Sequence, residues 1–113
     1  MKLTHQLVAH RGWQNLYPEN TLPAIAAAIE VGARHIEIDI QLTADHSPIL
    51  CHDHKLDRIC GSPLNINHCT DYDLAKLSAY EPERLGNKFL GTELLTLNDC
   101  IELFKSQPQI CLL

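Results

Sequence analysis

Basic residues are scarce in this sequence: nine Lys plus Arg stand against 14 Asp plus Glu, a formal charge of −5 over 113 residues. That balance excludes nonspecific binding to DNA, RNA or anionic lipid through a basic face, and any phosphate ligand would need local help from a cation. Aromatics make up only 5%, so a core has to be filled by Leu, Ile, Val and Ala. No apolar run approaches the roughly 20 residues of a membrane span, and Met1 to Gln6 lacks a charged segment followed by an apolar signal core. Cys-x-x-Cys is absent. The five cysteines, Cys51, Cys60, Cys69, Cys100 and Cys111, are odd in number, which signals neither a disulfide framework nor a zinc ribbon. The equal spacing of the first three fits neither helix nor strand, so they read as buried or incidental thiols. Reduced thiols and the missing span point to a soluble cytoplasmic protein. Internal repeats and low-complexity tracts are also lacking.

What is present is an ordinary 45% of hydrophobic residues, enough for one small domain. Leu7 to Ala9 is a short apolar run that stops at His10-Arg11-Gly12, as a strand does when it delivers polar groups into a loop. Asn20 and Thr21 are both good N-caps for the helix TLPAIAAAIEVG, with Pro23 in its first turn and Gly32 as its stop. In HIEIDIQLT, residues 35 to 43, Ile36, Ile38, Ile40 and Leu42 alternate with His35, Glu37, Asp39 and Gln41 at strand period. Asp45 to Pro48 makes a turn, and Ile49 to Cys51 begins a third strand that runs into His52-Asp53. An irregular stretch, about 59 to 92, holds a short helix from Thr70 to about Ala79. Thr96 and Asp99 resemble a capping box opening LNDCIELFK, and a strand starts between Gln109 and Leu113.

Strands alternating with helical segments predict a parallel α/β sheet, doubly wound or a (β/α) barrel. The alternation over 35 to 43 favours the barrel, because a parallel strand covered on both faces would be apolar throughout, whereas a barrel places polar groups at its C-terminal mouth. Glu37 and Asp39 share a strand face about 7 Å apart. Two such acids raise one another's pKa unless a cation neutralises them, and oxygen ligands suit Mg²⁺ or Ca²⁺; a half-exposed strand with solvated acids is the bland alternative. His10 and His52 each fall where an apolar run meets a loop, which suits acid and base chemistry but also suits a hydrogen-bonded surface histidine. His5, His35, His46, His54 and His68 are read as the latter. Arg11 could hold two phosphate oxygens, or merely pair with an acid.

Together HRG (His10 to Gly12), PENT (Pro18 to Thr21), Gly32-Ala33, IEIDIQLT (Ile36 to Thr43) and HD..L.R (His52, Asp53, Leu56, Arg58) resemble the glycerophosphodiester phosphodiesterase family, in order and spacing, across residues 8 to 58. The TLND segment at Thr96 is similar to the helix start after that family's variable insertion. The resemblance implies a TIM barrel that hydrolyses glycerophosphodiesters, small-molecule substrates, to glycerol 3-phosphate and an alcohol with a divalent cation, Mg²⁺ or Ca²⁺. It implies that His10 and His52 are the catalytic histidines, that Arg11 contacts phosphate, that Glu19 lines the site, and that Glu37 and Asp39 bind the metal. Asn20 and Asp53 would stand behind them, Asp53 orienting His52 or the metal's water. A further acidic ligand would follow the strand that ends this sequence.

A (β/α)₈ barrel needs about 250 residues, so residues 1 to 113 are expected to be the N-terminal portion of one such domain, supplying about four β/α units. The open strand edges would then invite self-association. The alternative is a noncatalytic half-barrel that binds a metal or phosphate and assembles with another copy.

Overall fold

A computed structural model describes residues 7 to 113; Met1 to Gln6, and with them His5 and the reading of the first residues as no leader, lie outside the described residues. The chain begins with strand β1 (Val8–His10) and crosses over through helix α1 (Leu22–Glu30) to strand β2 (His35–Glu37). Helix α5 (Leu97–Lys105) then leads to strand β5 (Cys111–Leu112), with strands β3 (Ile40–Leu42) and β4 (Pro48–Leu50) and helices α2 (Asp57–Cys60), α3 (Asp71–Leu74) and α4 (Pro82–Leu85) between. The sheet is parallel, in the order β1-β2-β5, with Ala9 opposite Ile36 and Ile36 opposite Leu112.

Thr21, not Asn20, caps α1, its hydroxyl accepting from the Ala24 N–H. The small residues of this helix let it lie close to the sheet, and Ala24, Ile25, Ala27 and Ala28 are buried. Ile25, Ala28 and Ile36 meet Leu50, Leu95 and Cys100 in one core. Each large side chain fully removed from water there contributes roughly 1.5 to 3 kcal/mol. A second core lies under the hairpin and the irregular stretch, built from Ile49, Leu56, Ile59, Ile66 and Leu74 with Cys51, Cys60 and Cys69 among them. Burial pushes the Cys51 thiol up to about 11 and the Cys60 thiol up to about 12, so these sulfurs act as apolar filler rather than nucleophiles.

Two expectations need correction. The single strand over 35 to 43 breaks after Glu37, because the chain changes partners there. Ile38 N–H still donates to Leu113 O, whereas Asp39 O accepts from Cys51 N–H, and β3 pairs with β4 instead. The apolar alternation consequently covers one buried residue, Ile36, while Ile40 and Leu42 are exposed on the hairpin. Secondly, β4 is antiparallel to β3 and not a barrel strand, so three parallel strands are present among the described residues where about four units were expected. The link 43 to 47 is far shorter than the dozen or so residues a parallel crossover needs, and Thr43 N–H closes it onto Ser47 O. In the irregular stretch, Thr70 and Asp73 form a reciprocal capping box, but the helix lasts one turn, not to Ala79, whose N–H donates to Thr92 O.

Candidate active site

The polar groups gather where β1 and β2 end. Arg11 follows β1 with φ +58° and Asn20 precedes α1 with φ +57°, a left-handed backbone that side-chain-bearing residues seldom adopt. Each is held there by backbone bonds: Arg11 N–H donates to Glu37 O, and Asn20 N–H to Arg11 O. Gly12, at φ +78°, lets this loop touch α1; a Cβ there would stand 2.7 Å from the Ala24 carbonyl carbon.

Around this turn the predicted residues join into one polar network. His10 Nε2 lies 3.4 Å from Glu37 Oε2, and the Gln14 side-chain amide lies 3.0 Å from His10 Nδ1. With that amide donating, the neutral His10 ring carries its proton on Nε2, facing Glu37. Asn20 is buried and works as a clamp rather than a helix cap: its Oδ1 accepts from Asp39 N–H at 3.2 Å and its Nδ2 donates to Asp39 Oδ2 at 3.1 Å. Arg11 Nη1 donates to both oxygens of Glu19, at 3.2 and 3.0 Å. Its Nε stands 3.2 Å from Asp39 Oδ2 at an angle that makes no hydrogen bond.

Glu37 Oε2 and Arg11 Nε are the buried side-chain polar atoms left without a hydrogen-bond partner among the described residues. Burial, then the neighbouring Asp39 carboxylate, raises the Glu37 pKa. This acid thus carries an unspent acceptor beside a second carboxylate, the condition a hard cation relieves. The pair fits such an ion as part of a ligand set; among the described residues no group of three or more His, Cys, Asp or Glu side chains is arranged to hold one.

The other histidine belongs to the hairpin side. His52 Nδ1 is 2.9 Å from Asp53 Oδ1, and Asp53 is held ionised by hydrogen bonds from Arg58, which overcome burial and lower its pKa. An ionised carboxylate only accepts, so His52 donates from Nδ1 and keeps a lone pair on Nε2. Arg58 extends the network to Glu19, which is 3% exposed. Burial raises the Glu19 pKa, but Arg58 and then Arg11 outweigh it and the net shift is downward.

Composition and periodicity had not singled out Arg58, Glu81 and Arg84. Glu81, just before α4, is buried at φ +47°; its Oε2 accepts from Glu19 N–H at 2.9 Å, and both its oxygens bind Arg84. Arg84 also donates to the carbonyls of Asn15 and Tyr17, so α4 is tied to the loop after β1. A cleft of about 430 Å³ opens here, lined among others by Arg11, Glu19, Arg58, Glu81 and Arg84.

A parallel sheet with crossover helices and polar groups at its strand ends defines an α/β protein of the kind that carries enzyme sites at that face. The chain belongs to the glycerophosphoryl diester phosphodiesterase family, whose model matches residues 10–110, a family of phosphoric diester hydrolases. It is 37% identical over 97 residues to a glycerophosphodiester phosphodiesterase of Caldanaerobacter subterraneus, covering 86% of this chain and 39% of that protein. The human glycerophosphodiester phosphodiesterase 1 is 36% identical over 94 residues, covering 83% of this chain and 28% of that one. Among solved structures, an Oleispira antarctica phosphodiesterase in complex with the product sn-glycerol-3-phosphate superimposes with a TM-score of 0.83 at 31% identity, over 93% of this chain and 41% of that one. A glycerophosphodiester phosphodiesterase from Agrobacterium tumefaciens also gives 0.83, at 28% identity, over 93% and 44%. The chain therefore spans less than half the length of these relatives. No helix among the described residues is long and apolar enough to cross a membrane.

Proposed function

We propose that this chain carries the two-histidine part of a metal-dependent site that hydrolyses glycerophosphodiesters to glycerol 3-phosphate and an alcohol. It would be the N-terminal portion of a single (β/α)₈ domain, with 59 to 92 as its insertion. The observation that carries this reading is the convergence of these groups: His10 beside Glu37, whose backbone oxygen accepts from Arg11 N–H, then Asp39 to Asn20 and Arg11, Arg11 to Glu19, and Glu19 through Arg58 and Asp53 to His52. Glu37 and Asp39 would hold Mg²⁺ or Ca²⁺, which when bound neutralises charge on a phosphodiester. Arg11, with donors to spare, would hold phosphate oxygens and stabilise the added charge of the transition state. His52 presents a lone pair at Nε2 and is suited to take the proton of the attacking hydroxyl. His10 turns Nε2 toward Glu37 at 3.4 Å and, when protonated on both ring nitrogens, is suited to give a proton to the departing alkoxide. The five free thiols support a reducing, cytoplasmic setting.

Turnover of glycerophosphocholine and glycerophosphoethanolamine, with and without EDTA, tests this. Formation of glycerol 3-phosphate that EDTA abolishes is expected, with His10→Ala and His52→Ala each lowering kcat by about 10² to 10⁴. Metal-independent turnover, or full activity in both variants, would sink the reading. A second reading, a noncatalytic cation- or phosphate-binding half-barrel that pairs with another copy, is favoured by the convergence of only two acids among the described residues. Calorimetric titration with Mg²⁺, Ca²⁺ and glycerol 3-phosphate separates it: binding without product supports the module, and product formation rejects it.

A further inference from the structure

We propose that Arg58 is the positioning residue of His52: it fixes the Asp53 carboxylate in one orientation and thereby one tautomer of the histidine, without touching substrate. The inference rests on the reading of His52 as a proton-transfer group. Arg58 stands on α2, five residues beyond Asp53, and presents two edges of its guanidinium to two carboxylates. Nε and Nη2 donate to Asp53 Oδ2 and Oδ1 at 3.0 and 3.2 Å. Nη1 and Nη2 donate to Glu19 Oε1 and Oε2 at 2.7 and 3.0 Å. A guanidinium has five N–H donors; four are used in these bonds, and the fifth belongs to Nη1, which lies 3.6 Å from Glu81 Oε1. Arg58 therefore lines the cleft with four of its five donors committed to Asp53 and Glu19, whereas Arg11 spends only Nη1 on hydrogen bonds; Arg58 is the less suited of the two to grip a phosphate with a pair of donors.

Asp53 Oδ1 is shared, accepting from Arg58 Nη2 and from His52 Nδ1. With both of its oxygens pinned by a planar fork, the carboxylate cannot rotate away from the ring. That hold is needed because His52 is itself half-exposed, with little packing to fix its orientation. A lysine at 58 would be a single point charge unable to serve two carboxylates from two edges. The buried Glu19 is the better-fixed of those two and would capture it, leaving Asp53 loose.

Long-range ¹H–¹⁵N correlation spectra of the chain labelled at histidine report the His52 tautomer directly and need no turnover. The wild type is expected in the Nδ1–H form. Asp53→Asn, which leaves the pairing of Arg58 with Glu19 in place, and Arg58→Met are both expected to give a tautomer mixture. Arg58→Lys keeps a cation against Glu19 should Arg58→Met fail to fold, and the same mixture is expected. In turnover, Arg58→Lys should lower kcat by about 10- to 100-fold with KM little changed. A wild-type tautomer in folded Arg58→Lys, with only the melting temperature lowered, would overturn the proposal. A tautomer shift in a protein that turns over no phosphodiester supports the hold of Arg58 on His52 and counts solely against the hydrolase reading.

Discussion

Glu37, the acid at the end of β2, and the acids around Arg58, which are Glu19, Asp53 and Glu81, meet opposite surroundings, while Asp39 stands between them with Arg11 at 3.2 Å. Around Arg58 every carboxylate has a guanidinium: Glu19 has two, Asp53 has one, and Glu81 shares Arg84. Burial there is answered by cations, and Glu19 and Asp53 lie below their ordinary pKa values. At β2, Glu37 has one histidine at 3.4 Å, an unbonded buried oxygen and a raised pKa. One cluster is electrostatically complete within the chain. The other is left with spare acceptors, as a site that receives a ligand must be, because groups already saturated by the protein have nothing to offer one.

The largest way to break this contrast is Glu19→Gln. It leaves Arg58 and Arg11 without the anion they share, and should cost on the order of 3 kcal/mol in urea unfolding; a loss under about 0.5 kcal/mol, the ordinary size for a surface change, would mean that the complete cluster holds nothing together. Acid titration comes next. Glu19 and Asp53 are depressed below 4.5 and 3.8, so the stability they give is full above those values and lost as pH falls through their lower folded values. Unfolding free energy should therefore decline below about pH 4.5, more steeply in the wild type than in Glu19→Gln; equal slopes would contradict the assignment. Glu37 has the opposite sign: its contribution is full below 4.5 and lost as pH rises through its raised folded value. At pH 7 in EDTA, Glu37→Gln should accordingly stabilise the chain, by about 0.5 kcal/mol, the usual scale for relieving a like-charge pair. Destabilisation by that variant would show that β2 carries no excess of negative charge.

Much of this was legible in the residues themselves. HRG and HD mark places where apolar runs stop at polar loops, PEN leads into the cap of α1, and the network joins all three. The hairpin is hidden in the sequence because Ile49 to Cys51 is apolar like a buried parallel strand. The residues that mark it as a hairpin are the short link 43 to 47 and Pro48, which has no N–H for a central ladder. Glu81 and Arg84 were missed for a different reason. They lie in a stretch without helical or strand period, where only tertiary contact gives a charged residue its meaning, and Glu81 holds a left-handed backbone that its sequence does not advertise. Arg58 sat within a recognised motif, yet its two-sided pairing depends on Glu19, 39 residues away.

On the reading proposed above, Glu37 finds its missing partner only in a cation held together with Asp39, and thermal unfolding against added Mg²⁺ or Ca²⁺ tests this most directly. A ligand bound to the folded state alone stabilises it by about 2.7 kcal/mol at 100 times its Kd. The wild type should melt at a rising temperature as cation is added after EDTA treatment, while Glu37→Gln stays flat. A melting temperature indifferent to both cations in the wild type, or rising equally in Glu37→Gln, would contradict the account.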